Sequence, residues 1–248
     1  MCPLMSDNDV DGIVQTTNNF AFSATNINDL GADAYTLFGL ILDKSGSVTG
    51  FQDQIERCAQ DVIKGCQNAP RADNMLVRTL TFDRNIDIVH DFKLLNDCAP
   101  NNYKGIIKPG STTSLYDTSV DIVESVAAAG KDLMSKDYAV NGIVVIMTDG
   151  EDVGSTFTAT SVKAAIDKAK RSECLESLLT ILIGVNVKDP RISGFLQQFK
   201  DQVGIDQYIE VDKADPKTFA KIAGFIVQSV SSQSQSLGSG SASQPITF

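Results

Sequence analysis

Asp43, Ser45 and Ser47 stand at alternate positions directly after the apolar run 37–42, in the stretch LFGLILDKSGSVTG. A carboxylate and two hydroxyls at the end of a buried strand form an oxygen-only donor set. Such hard ligands suit Mg²⁺, Mn²⁺ or Ca²⁺ and serve zinc or copper poorly. Gly46, between the two serines, is expected to let the loop turn tightly enough for the side chains to converge. Two more segments carry matching chemistry. KPGSTTSLYD (108–117) presents hydroxyls on a glycine loop ahead of a helical pattern, and Asp149 closes a second apolar run in MTDGED. Asp43 and Ser45 alone would read as loop caps; the metal reading needs all three segments in their structural context.

The elements that must position these residues follow from periodicity. A first strand is expected over 35–43, then a helix over 51–66 with Ile55, Ala59, Val62 and Ile63 on one face. The run 75–92 alternates on both sides of Asp83-Arg84-Asn85 and reads as a β-hairpin. A helix over 114–129, a strand over 142–149, a helix over 160–171 and a strand over 178–185 follow. A helix near 192–200, a short strand at 208–211 and a last helix over 216–230 complete the series. Strands alternating with helices predict an α/β, doubly wound (Rossmann-like) fold: a mostly parallel central sheet, one antiparallel edge strand, and helices on both faces. Ligands in such sheets sit beyond the carboxyl ends of the strands, where Asp43 and Asp149 both lie.

At these residues the chain resembles the von Willebrand factor type A domain. The resemblance is carried by D-K-S-G-S after an apolar strand, G-S-T-T-S-L-Y-D before a helix, and I-M-T-D-G-E after a second strand, and it covers roughly 34–230. It implies a metal-ion-dependent adhesion site made of Asp43, Ser45, Ser47, Thr113 and Asp149. Thr112 rivals Thr113, and the spacing to Leu115-Tyr116-Asp117 favours Thr113. The implied cofactor is Mg²⁺, with Mn²⁺ or Ca²⁺ as alternatives. The implied function is protein–protein interaction: a cation held mainly by neutral oxygens keeps an open position for a partner's Glu or Asp. Intracellular members of the family often work beside AAA+ ATPases or in stress-response and tellurite-resistance systems, so an AAA+ ATPase is an expected partner.

The rest of the sequence narrows the alternatives. The 248 residues carry a net charge of −10 and a pI near 4.5, which argues against nucleic acid and against an anionic membrane surface. Residues 1–33 read as a polar, acidic arm with partial order, and 231–248 as a Ser/Gln/Gly-rich flexible tail. The start has no signal-peptide pattern and no run has the length of a membrane span, so a reducing, cytoplasmic location is expected. Neither end holds a second enzyme domain, and the chain is expected not to be an enzyme. Cys58 and Cys66, eight apart in a helical pattern, read as thiols rather than a disulfide. DNDVDG (7–12) imitates a calcium loop, but its twelfth position is Asn18 instead of a bidentate Glu, so an acidic arm is the better reading. A phosphotransferase using Asp43 would need a second carboxylate two residues on, where Ser45 stands. A metal that only stabilises the fold is the third reading. His90, the sole histidine, reads as a half-buried strand residue. Lys44, Glu151 and Asp152 either flank the site and tune partner choice or are solvated surface.

Overall fold

The strands alternate their side chains between two faces, and that alternation divides the core into two layers. The computed structural model describes residues 13–16, 21–23, 32–172, 174–239 and 246–248. The DNDVDG segment and Cys2 lie outside them. In β3 (Ala34–Asp43), Phe38, Leu40 and Leu42 enter one layer while Tyr35, Leu37 and Ile41 enter the other. In β6 (Ala139–Thr148), Ile143, Val145 and Met147 alternate with Val140, Val144 and Ile146 in the same way. The first layer is closed by α1 (Gln52–Gln67) and α5 (Pro216–Ser239), the second by α2 (Leu115–Met134), α3 (Ala159–Arg171) and α4 (Pro190–Val203).

The remaining sheet strands are β4 (Met75–Phe82), β5 (Ile86–Leu94), β7 (Leu178–Gly184) and β8 (Gln207–Glu210). The sheet order is β5-β4-β3-β6-β7-β8, all parallel except β5, which pairs antiparallel with β4. This is the expected α/β architecture, including the hairpin around Asp83-Arg84-Asn85. The chain winds outward in one direction from β3 and in the other from β6, so the order reverses between these two adjacent strands. Their pairing sets Leu42 beside Met147 and brings Asp43 level with Thr148. The cleft at that reversal is where such sheets bind ligands.

One buried charge cluster locks α2 to the sheet. The Arg78 guanidinium, 1% exposed, donates to Asp121 Oδ1 at 2.8 Å, to Asp91 Oδ1 at 3.2 Å and to the Ser125 hydroxyl. Strands β4 and β5 are thereby fixed to the helix that begins two residues after Thr113. Four cysteines among the described residues, Cys58, Cys66, Cys98 and Cys174, are buried free thiols, and burial pushes the Cys66 thiol up to about 12. His90 is half-buried: Nε2 meets the Tyr103 hydroxyl at 2.6 Å and Nδ1 the Asp91 carbonyl at 2.9 Å, while desolvation lowers its pKa.

The partial order of the N-terminal arm takes the form of a two-stranded antiparallel ribbon, β1 (Ile13–Gln15) with β2 (Ala21–Ser23). One expectation needs correction. The tail expected from 231 is helical as far as Ser239, because α5 continues its buried stripe with polar side chains. Ile226, Val230, Gln233 and Ser234 lie on one face at helical spacing, and all are buried. The Gln233 amide donates to Gly142 O at 3.1 Å and Ser177 Oγ at 2.9 Å, and Asn141 Nδ2 donates back to the Gln233 carbonyl. Composition suggests a solvated segment; hydrogen bonds to the start of β6 hold it down. Gln233→Ala is expected to cost about 1–3 kcal/mol in urea unfolding, and Gln235→Ala, on the exposed face, within about 0.5 kcal/mol. Equal costs would show that this end of the helix is not anchored.

Candidate metal centre

Asp43 is the last residue of β3 and Asp149 the first after β6, so parallel pairing alone makes the two carboxylates neighbours. Both are buried, at 1% and 6% exposure. Asp43 Oδ1 accepts from the Ser45 amide at 2.6 Å and Oδ2 from the Thr148 hydroxyl at 2.6 Å. Ser47 Oγ donates to Asp149 Oδ1 at 2.7 Å, and Ser45 and Ser47 hydroxyls meet at 2.9 Å. Because the Ser47 proton points to Asp149, Ser45 must donate to Ser47. Thr113, also buried, faces the same point: a Cβ placed on Gly150 would lie 3.8 Å from Thr113 Oγ1 and 4.0 Å from Ser47 Oγ. Thr112 Oγ1 lies elsewhere, 3.0 Å from the corresponding position on Gly154. Asp43, Ser45, Ser47 and Asp149 thus lie together at the ends of β3 and β6, Thr113 Oγ1 lies near Gly150 beside them, and Thr112 is turned to Gly154.

Gly46 serves the site in a different way from that expected. Its φ is not positive, so its backbone is open to other residues. What it provides is close approach: an added Cβ would sit 3.2 Å from the carbonyl of Gly110, and Gly46 N donates to Ser111 O at 3.0 Å. The flanking residues also resolve. Lys44 is buried and bridges Asp83 at 3.2 Å and Asp87 at 3.1 Å. Glu151 pairs with Arg191 at 3.5 Å. Asp152 Oδ1 accepts from Tyr116 N at 3.1 Å, and Ser155 Oγ accepts from Tyr116 N and Asp117 N, so this loop satisfies the free amides that open α2. Asp117 returns the favour by accepting from Thr156 N and Phe157 N. Sequence reading missed Thr148, Asp83 and this reciprocal cap. The T before D in MTDGED was visible, but nothing in the sequence indicates that its hydroxyl turns to a residue on another strand.

The electrostatics test whether this donor set fits a cation. Burial raises the Asp43 pKa from 3.8 to about 6 despite the Thr148 hydrogen bond, and the Asp149 charge pushes it further up. Burial also raises Asp149, partly offset by the Ser47 hydrogen bond. Lys44, the nearest cation in sequence, is committed to Asp83 and Asp87. Among the described residues no group of three or more His, Cys, Asp or Glu gathers around a common point. The cleft instead combines two desolvated carboxylates with three hydroxyls, and these residues fit a hard divalent ion.

No family model matches the chain, and no curated protein matches it. Solved structures do. The D319A mutant of the PilB minor pilin from Streptococcus sanguinis aligns at a TM-score of 0.56 and 14% identity, over 85% of this chain and 64% of that one. The open form of the pilus adhesin SpaC from Lactobacillus rhamnosus GG gives 0.54 and 12%, over 80% and 30%. Proximal thread matrix protein 1 from the mussel byssus gives 0.52 and 15%, over 80% and 46%. The chain thus spans less than two thirds of each of these proteins, and at such identities the likeness is one of fold.

The raised carboxylate carries a pH signature. Folded Asp43 takes up its proton near pH 6 and the unfolded chain near 3.8, so the folded state binds the extra proton between those values. Stability from this group accordingly rises as pH falls through about 6, and its charge is a cost above that. In EDTA, Asp43→Asn should melt higher than wild type at pH 7.5, by an amount worth about 1–3 kcal/mol, with the gap narrowing as pH falls from about 6 toward 3.8. A variant no more stable than wild type at pH 7.5 would refute the assigned burden.

Proposed function

We propose that the chain is a type A-like interaction module that captures an acidic side chain of a protein partner through a divalent cation. The observation that carries this reading is the meeting of two buried carboxylates with the Ser45 and Ser47 hydroxyls, Thr113 lying near Gly150 beside them, while Lys44 is paired with Asp83 and Asp87 instead. Asp43, Ser45, Ser47, Thr113 and Asp149 would hold the ion, Mg²⁺ first with Mn²⁺ or Ca²⁺ as alternatives. When bound, that ion would supply a positive centre with a position open to a carboxylate from outside. The residues divide the work by depth. Asp43, its two oxygens engaged by Ser45 and Thr148, anchors from below; Ser47 is exposed and marks the open side. The hydroxyls donate without adding negative charge, so less of the ion's charge is cancelled than in an all-carboxylate site.

Phosphoryl transfer on Asp43 is the weaker reading, because the second carboxylate its acid–base chemistry needs two residues on is replaced by Ser45. We read the chain as a non-enzymatic adaptor, acting beside an AAA+ ATPase or in a stress-response or tellurite-resistance complex. The four buried free thiols among the described residues suit a reducing, cytoplasmic compartment. No described helix is long and apolar enough to cross a membrane.

Saturating Mg²⁺ should raise the melting temperature, a ligand at a hundred times its Kd being worth about 2.7 kcal/mol. Thr113→Ala and Asp149→Ala should abolish that shift. A partner retained on the immobilised wild-type chain should elute with EDTA and be absent from both variants. Retention in EDTA would reduce the ion to a structural role, and acyl-phosphate hydrolysis lost in Asp43→Asn would replace the adaptor with the phosphotransferase.

A further inference from the structure

One carboxylate that takes no part in the cation cluster holds the loops of that cluster in register. Asp83 lies in the β4–β5 turn and is buried. Its Oδ1 accepts from Asn85 N at 2.9 Å, which closes its own turn, and meets Lys44 Nζ at 3.2 Å on the first loop. Its Oδ2 accepts from Ser111 N at 3.3 Å on the second loop, and its backbone carbonyl accepts from Ser114 N at 2.8 Å. The bonds continue inward. Ser111 O receives Gly46 N at 3.0 Å, between the two serines of the cluster, and Lys44 O receives Gly110 N at 2.8 Å. Thr113 is bracketed by Ser111 and Ser114, both tied to Asp83.

Gly110 shows how tight this packing is. A Cβ added there would lie 1.9 Å from Asp83 Oδ2 and 3.2 Å from Asp83 Cβ. The φ of Gly110 is not positive, so its backbone would accept alanine; the carboxylate would not. The glycine of KPGSTTS is thus matched to an aspartate 27 residues earlier, on another loop.

We propose that Asp83 is a positioning residue for the cation site: by bonding Lys44 and Ser111 at once it sets Thr113 and the Ser45–Ser47 pair at the spacing a divalent ion requires. The inference rests on the cation reading given above. It differs from general stabilisation because it predicts a specific coupling between Asp83, Gly110 and the ion.

The test uses the whole chain with Mn²⁺ as probe, by calorimetric titration, and amide hydrogen exchange on the metal-free protein. Asp83→Ala should weaken Mn²⁺ binding at least tenfold and speed exchange at Gly46, Gly110 and Ser111 at least tenfold. Asp87→Ala, which removes the more exposed carboxylate on Lys44, should bind within twofold of wild type. Gly110→Ala should match the loss of Asp83→Ala in the wild-type background and add less than twofold on top of it, the signature of two residues in one contact. If Asp83→Ala does not fold, Asp83→Asn, which keeps the shape and one acceptor, carries the test with a loss of at least threefold. Wild-type affinity with unchanged exchange in the Asp83 variant, or full additivity with Gly110→Ala, would overturn the inference. A wild-type chain that does not bind Mn²⁺ would instead overturn the cation reading, and the exchange data would still decide whether Asp83 braces the loops.

Discussion

Two like charges, Asp43 and Asp149, are forced together at the ends of adjacent parallel strands, and the rest of the site is arranged around that conflict. The register of β3 on β6 makes the meeting unavoidable, and burial removes the water that would otherwise screen it. The fold supplies only neutral donors in response: the Ser45 amide and the hydroxyls of Thr148 and Ser47. Hydrogen bonds lower the cost without removing it, which is why Asp43 stays near 6. A sheet packed on both faces can tolerate such a local burden, because displacing either carboxylate would disrupt a strand end in both core layers.

The global and local fields act at different ranges. A net charge of −10 repels an acidic partner at a distance, but screening shortens that repulsion to about 8 Å at physiological ionic strength. Attraction to a centre inside the cleft would then operate only at close approach. Under the proposed function, specificity is set by fit at close range more than by long-range steering.

Much of this was legible in the sequence because its physics is local. Strand runs such as 37–42 and 142–148 are continuous and apolar since both faces are covered, and the Asp83-Arg84-Asn85 turn announces its hairpin. The cluster residues could be named because each ends or follows a periodic element. What stayed hidden depends on pairs remote in sequence. The close approach of Gly110 to Asp83, which leaves no room for a Cβ, exists only once β4 and β3 are side by side. The role of Asp152 as a cap for α2 requires its loop to fold over another helix. The end of α5 differs from its composition for a related reason: Gln233 reads as solvated, whereas its partners Gly142 and Ser177 are supplied by a distant strand and loop.

The loops around the cleft do not form three equal parts. Thr113 O accepts from Val153 N at 2.9 Å, Asp152 and Ser155 cap α2, and Asp117 caps the loop that follows Asp149. The Thr113 segment, the start of α2 and the Asp149 loop are therefore one bonded unit. The 43–47 loop joins it through a narrower seam: two backbone bonds, Gly46 to Ser111 and Gly110 to Lys44, the Ser47–Asp149 contact, and the Thr148–Asp43 bond at its base. Charge repulsion between Asp43 and Asp149 acts across that seam and tends to open it, while Asp83 and Lys44 bridge it from the outer side. The balance between these opposed forces fixes the width of the cleft, and width is what distinguishes hard cations of different radius.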